Sequence, residues 1–260
     1  MEPAALVARA AERGVRALAL TDHDGVDGLA EARAAAHAHG IRLIDGVEIS
    51  VSWEGHTIHV VGLAVDPESE TLFDGLRVNR SGRDGRAARI DAQLAAIGIH
   101  GALEGARAYV TNPDLVSRTH FARFLVENGH ARSTQAVFDR YLGEGRPGYV
   151  PHLWADLPTA IGWITAAGGI PVLAHPGRYK LDSKSRSALL DAFKSLGGVA
   201  VEVVTGSHSA DEYGYWAARA IEHGLLASVG SDFHGPRENY KDLGELPPLP
   251  AGCVPVWTRL

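Results

Sequence analysis

Five short apolar runs constrain this chain more than any other feature, because each one ends at, or encloses, a residue that is costly to bury alone. Ala17 to Leu20 runs into Thr21-Asp22-His23-Asp24, and Ile41 to Val47 runs into Glu48. Ile170 to Ala174 ends in His175-Pro176-Gly177, Leu225 to Val229 ends in Gly230-Ser231-Asp232-Phe233-His234, and Thr57 to Val65 carries His59 inside it. A titratable group in or at the end of a buried strand destabilises the fold unless it is paired or ligated. Several such costs in one domain imply one shared use.

Between these runs lie stretches of helical composition. Ala4 to Arg13 and Gly28 to His39 read as helices closed by Gly14 and Gly40. Ile41 to Ser50 reads as a strand, Trp53 to Gly55 as a tight turn, and His56 to Val65 as the hairpin partner. Further on, helices over Leu157–Ala167, Ser183–Leu196 and Ala210–His223 separate strands over Ile170–Pro176, Gly198–Gly206 and Leu225–His234. Alternation of this kind predicts a parallel sheet, and polar groups gathered at strand C-termini predict an α/β barrel with its site on that face. If the last strand persists through His234, Asp232 and His234 share one face. The order opens with a helix, so the first strand of such a barrel is expected to be missing.

Residues from about Pro67 to Gly148 break the rhythm and read as helices over Leu72–Leu94, Leu103–Ala108, Ser117–Glu127 and Thr134–Leu142. The expected organisation is a barrel from residues 1–66 and 149–260, with 67–148 as a helical insertion set over the site.

Composition narrows the chemistry. The 260 residues suffice for a full core, and a single cysteine, Cys253, rules out an internal disulfide framework or a thiolate metal cluster. A formal net charge of −6 argues against a broad footprint for duplex DNA while leaving room for a local basic pocket. No run approaches a membrane span and no secretory leader pattern opens the chain, so a cytoplasmic location is expected. Of the thirteen histidines, His37, His39, His100, His130 and His223 are expected in solvated surface positions.

His23, Glu48, His59, His175, Asp232 and His234 remain as the candidate ligand set. Imidazole and carboxylate without thiolate suit zinc, manganese or iron. Six side chains exceed one tetrahedral ion, so two or more ions are expected, with Glu48 as the bridge. Such a centre suits displacement at phosphorus, that is, hydrolysis of a phosphoester by attack of an activated hydroxide. Alternatives stay open residue by residue. His59 could be a satisfied core histidine, His175 could shape a turn, Glu48 could cap a helix or pair with Arg42, and Asp22 or Asp24 could replace His23 as ligand. For the phosphate, Arg118 and His120 at the start of a helix are favoured as catalytic and substrate-binding groups, and Arg178 is a further candidate. Arg80, Arg83 and Arg146 are weaker ones.

The motifs ALTDHD, GVEIS, IHVVG, RTHFAR, GYVP, VLAHPGRY and GSDFH, in this order, resemble the PHP (polymerase and histidinol phosphatase) superfamily from about Leu6 to His234. The resemblance is strongest to its stand-alone branch of nucleoside bisphosphate phosphatases and 5′ to 3′ exoribonucleases. It implies a distorted barrel of seven strands, a helical insertion over the site and a trinuclear centre, usually of manganese. It also places His23, Glu48, His59, His175, Asp232 and His234 on family ligands, Glu48 bridging, and implies a small nucleotide or short RNA as substrate. Family members open with a strand bearing His-x-His and an acidic residue, whereas Met1 here is followed by EPAALV, which aligns after that motif. The expectation is an N-terminally truncated chain. The alternatives to the main reading are a catalytically weak PHP module serving as a binding or scaffold unit, and a histidinol-phosphatase-like phosphomonoesterase.

Overall fold

Proline, glycine and short polar caps set the ends of most elements. Helix α1 (Pro3–Glu12) starts on its proline, whose missing N–H costs nothing in a first turn. Helix α2 (Leu29–His39) stops at Gly40, which takes the left-handed conformation at φ 66°. Strand β1 (Ala17–Leu20) lies between them. Strand β2 (Arg42–Trp53) turns into β3 (His56–Leu63) through Glu54 and Gly55, at φ 45° and 81°. Two consecutive positive φ values match the right-handed strand twist and close a tight hairpin.

The computed structural model describes residues 1–110, 116–151, 153–236 and 241–260, apart from the side chains of Arg83 and Asp84. The chain divides into two compact units, Met1–Leu76 with Trp154–Leu260, and Arg77–Leu153.

The first unit holds the sheet. After β3 come β4 (Ala155–Asp156), α7 (Leu157–Ala166), β5 (Ile170–Leu173), α8 (Ser183–Ser195), β6 (Ala200–Thr205), α9 (Ala210–Glu222) and β7 (Leu226–Gly230). The strand order is β1-β2-β3-β5-β6-β7, with β4 paired to β2. The pairs β1–β2, β2–β4, β5–β6 and β6–β7 are parallel, whereas β3 is antiparallel to both β2 and β5. The sheet is therefore mixed, which corrects the expectation of a parallel one. A two-residue turn reverses the chain at β3, and only helical crossovers can restore parallel pairing afterwards. The result is a distorted α/β barrel, a mixed sheet curled within its helices.

One sheet face packs on the helices. Val47, Ile49, Val51, Ile58 and Val60 meet Leu157, Ile161 and Ile164 of α7, while Val201 and Val203 join a core that contains Leu190, Phe193 and Trp216. Each such side chain fully buried contributes on the order of 1.5–3 kcal/mol. The opposite face is lined by Val61, Leu63, Val172, Ala174 and Ala200. Polar caps hold the helices in register: Asp156 and Asp182 accept from Thr159 and Ser185, and Ser209 with Glu212 forms a capping box.

The second unit contains most of α3 (Glu70–Ala96), with α4 (Ala102–Arg107), α5 (Arg118–Glu127) and α6 (Thr134–Val137). It buries a core of its own around Ile90, Leu94, Phe121, Leu125 and Leu142. The helix expected over Thr134–Leu142 is one α-helical turn that loosens into a π-helical turn over Phe138–Leu142. No described helix is long and apolar enough to cross a membrane.

Candidate metal centre

Strand alternation and register bring the first ligands together. Ser50 of β2 pairs with His59 of β3, so Glu48, two residues from Ser50, shares their face. His59 Nδ1 lies 2.8 Å from Glu48 Oε1. β1 is extended by a single parallel bridge between His23 and Glu48. The Glu48 N–H donates to the Asp22 carbonyl (3.0 Å), and the Asp24 N–H donates to the Glu48 carbonyl (2.8 Å). His23 Nε2 consequently sits 3.8 Å from Glu48 Oε2.

His175 reaches the cluster by a different route. Ala174 already points to the ligand-bearing face, so the next residue would normally point away. His175 instead adopts φ 26° and ψ 57°, which turns its ring back. Its Nε2 lies 3.0 Å from Glu48 Oε1 and 3.2 Å from His59 Nδ1. A non-glycine residue held in such a conformation costs about 1–3 kcal/mol and persists only when its surroundings over-determine it.

Asp232 is also left-handed, at φ 52°, and β7 has already ended at Gly230. The expectation that Asp232 and His234 share a strand face is thereby corrected. His234 Nδ1 approaches the Asp232 carbonyl at 2.9 Å, and its ring stands 5.7 Å from that of His23. The Asp232 carboxylate meets Arg178 Nη1 at 2.6 Å.

Donor atoms of His23, Glu48 and His59 lie within 4.8 Å of one another, and so do those of Glu48, His175 and Asp232. Glu48 belongs to both groups; His234 and Arg178 stand beside them. Asp22 and Asp24, the alternatives to His23, belong to neither. The Asp24 carboxylate accepts from the Ser50 N–H at 2.9 Å and from its hydroxyl at 3.1 Å, and burial raises the pKa of Asp22.

The donor set fits divalent cations. Burial lowers the pKa of His23, against the pull of Glu48, although 33 % of its side-chain surface stays open. Burial opposes ionisation of Glu48, but His23, His59 and hydrogen bonds from His175 and His59 outweigh it and hold its pKa well below the usual carboxylate range. A buried anion thus faces imidazoles, and two imidazole nitrogens converge on one oxygen. His23 Nδ1 and His175 Nδ1 are buried without a hydrogen-bond partner among the described residues. Cations placed among these groups would neutralise the anion and take the place of the imidazole protons directed at it.

Three supporting residues escaped the sequence reading. Glu202 on β6 is buried, its carboxyl pushed up to about 8 chiefly by desolvation, and its Oε2 accepts from the His175 N–H at 2.7 Å. His208 is buried under a stacking contact with Trp216 and accepts from the Gly177 N–H at 2.9 Å. The Tyr179 hydroxyl accepts from the His59 N–H at 2.8 Å and donates to the Ala174 carbonyl at 2.7 Å, tying β3 to the end of β5. A Glu inside an apolar strand, in Val201-Glu202-Val203, was the one available signal. His223, expected on the surface, has only 8 % of its side chain exposed and pairs with Asp191 at 2.9 Å.

In the second unit, Arg118 and His120 open α5. The Ser117 N–H donates to His120 Nδ1 at 3.0 Å, a capping use of the imidazole. The Arg118 guanidinium lies 5.8 Å from both the Phe138 and Tyr149 ring centres, with the Leu142 carbonyl 3.4 Å from its Nη1, and burial lowers its pKa. Arg80 is half-buried and Arg146 exposed; the side chain of Arg83 lies outside the described residues.

A curled mixed sheet with imidazoles and carboxylates at its strand exits is the architecture of a metal-dependent α/β-barrel hydrolase. The sequence model of the PHP domain matches residues 1–143, and the chain belongs to this family. It is 48 % identical over 260 residues to the 3′,5′-nucleoside bisphosphate phosphatase of Chromobacterium violaceum, covering 100 % of this chain and 91 % of that one. It is 44 % identical over 259 residues to the 5′-3′ exoribonuclease Rnm of Escherichia coli, covering 99 % and 88 %. Among solved structures it is similar to an amidohydrolase from Chromobacterium violaceum with bound sulfate and no metal, at TM-score 0.97 and 48 % identity over 100 % of this chain and 90 % of that one. A protein from Bifidobacterium adolescentis assigned as a metal-dependent phosphoesterase matches at TM-score 0.80 and 27 % identity, over 92 % and 87 %.

Proposed function

We propose that this chain, a metal-dependent phosphoesterase, hydrolyses a phosphate ester of a small nucleotide such as a 3′,5′-nucleoside bisphosphate, or acts at the 5′ end of short RNA. The observation that carries the reading is Glu48, a buried carboxylate common to two groups of donor atoms. The substrate class follows the relatives, a nucleoside bisphosphate phosphatase and an exoribonuclease.

His23, Glu48, His59, His175, Asp232 and His234 would hold two or three divalent ions, manganese first and zinc or iron as alternatives. Such ions supply Lewis acidity toward phosphoryl oxygens and lower the pKa of water at neutral pH. The chain's own part is to hold the donors. Glu48 presents a full negative charge between the imidazoles, and Arg178 fixes the Asp232 carboxylate. We assign phosphate recognition to Arg118 and His120. A desolvated guanidinium hydrogen-bonded to one carbonyl, at the N-terminus of a helix, gains most from an anion, and the related amidohydrolase binds sulfate.

The test is phosphate release by the purified chain with manganese and with chelator, on 3′,5′-adenosine bisphosphate, a 5′-phosphorylated oligoribonucleotide and histidinol phosphate. Manganese-dependent turnover of either of the first two is expected. Turnover of histidinol phosphate alone would move the assignment to a different phosphomonoesterase, and turnover of none would leave a binding module.

A further inference from the structure

Strand β6 carries an irregularity whose consequences converge on one loop. Its register with β7 shifts between Glu202, opposite Ser228, and Val204, opposite Val229, so Val203 is an extra residue with no cross-strand partner. A bulge of this kind leaves a carbonyl unused by the ladder and re-aims the neighbouring side chains. Both effects are put to use. The Val203 carbonyl lies 3.1 Å from His208 Nδ1, and Glu202, just before the bulge, directs its carboxylate to the backbone of His175.

The chemistry of the two contacts is fixed by their partners. A carbonyl can only accept, so His208 Nδ1 carries the proton and Nε2 is left as an acceptor, and the Gly177 N–H fills that role at 2.9 Å. The contact needs glycine at 177, because a Cβ there would stand 2.7 Å from the His208 ring. The N–H of His175 is held by Glu202 Oε2 at 2.7 Å. The loop that leaves β5 is thus gripped by side chains at two alternate backbone amides, around a histidine in the left-handed region.

We propose that Glu202 and His208, set by the bulge at Val203, are positioning residues that hold the His175–Arg178 loop so that His175 faces Glu48 and Arg178 faces Asp232. The proposal rests on the reading of the cluster as a metal centre, and neither residue is itself placed in a donor group. Without the two acceptors the His175 backbone returns to an ordinary conformation, and its ring leaves the cluster.

Three variants and one unaltered-protein measurement test this. Glu202→Leu removes the acceptor, Glu202→Gln keeps a carbonyl oxygen, and His208→Phe keeps the stack on Trp216 while removing both hydrogen bonds. The readout is Mn2+ affinity by competition with a chelating dye, on protein whose circular dichroism and melting curve show it folded. Glu202→Leu and His208→Phe are expected to weaken binding by about 10- to 100-fold, the usual effect of removing groups behind the ligands, with Glu202→Gln within about threefold of the parent. Folded Leu and Phe variants that bind Mn2+ like the parent, while Glu48→Gln loses it, would overturn the proposal and leave the metal centre standing. A parent chain that binds no Mn2+ would instead remove the metal reading. Amide exchange then decides the positioning on its own: the His175 and Gly177 amides are expected to exchange slowly although they lie outside the sheet ladder, and free exchange would overturn it. The same measurement decides the matter if the Leu variant does not fold.

Discussion

Glu202 and Gly230 lie diagonally across adjacent strands, Glu202 being paired with Ser228 and Gly230 with Thr205, and the missing side chain at 230 makes room for the carboxyl group: a Cβ there would stand 1.9 Å from Glu202 Oε1. Gly230→Ala is therefore expected to push the carboxylate off the His175 amide and to destabilise the fold by about 1–3 kcal/mol, as overpacking does. Urea unfolding of parent and variant measures this, and an unchanged midpoint would mean that the two residues do not press on each other.

Asp24 holds Ser50, the cross-strand partner of His59, through its carboxylate. Asp24→Ala strips a buried amide and hydroxyl of their acceptor and is expected to cost about 1–3 kcal/mol. Asp24→Asn, which keeps one acceptor and tolerates φ 51°, is expected to cost less. Equal melting temperatures for the two variants would contradict this ordering.

Asp242, outside both donor groups, is gripped by Arg9 at 3.0 and 2.5 Å and by Arg13. The hydrogen-bonded Arg9 guanidinium, with Arg13 behind it, depresses the Asp242 pKa. A folded value below the unfolded one adds stability that is present above the unfolded pKa and is lost as pH falls through the folded value. The melting-temperature gap between parent and Asp242→Asn is expected to be present at neutral pH and to shrink as pH falls below about 4. Added salt should shrink it as well, because the pair is near the surface. A gap that widens on acidification would reverse the sign of this contribution.

Arg118→Ala is expected to lower kcat/KM for a phosphate ester about 100-fold while leaving metal content unchanged, and Arg118→Lys to recover only part of it, since a point charge does not replace the planar fork. Steady-state kinetics with metal analysis on the same samples separates the two effects. Loss of metal in Arg118→Ala would place this residue in the support of the metal centre instead.

Much of this was legible in the sequence, for local reasons. The glycine after α2, the two-residue hairpin turn and the apolar runs act within a few residues of themselves, so they can be read one at a time. Glu48, His59 and His175 stood out because each interrupts or ends an apolar run. What could not be read depends on distant pairing. β3 lies antiparallel to β5, more than a hundred residues on, and nothing local announces it. The left-handed backbone at His175 has no signature in its own side chain; it depends on Glu202, 27 residues from His175, and on His208, 31 residues from Gly177. Sequence spacing placed Asp232 and His234 on one strand face because spacing cannot show that β7 stops at Gly230.

The left-handed backbone at His175 and Asp232 has an evolutionary consequence. At each position glycine would relax the chain, so chemistry and fold stability pull in opposite directions there. Mutational drift freed from selection for catalysis is expected to move His175 and Asp232 toward glycine or asparagine while the barrel persists. A relative with glycine at these two positions would then be recognisable, from its sequence alone, as a chain that kept the scaffold and abandoned the metal.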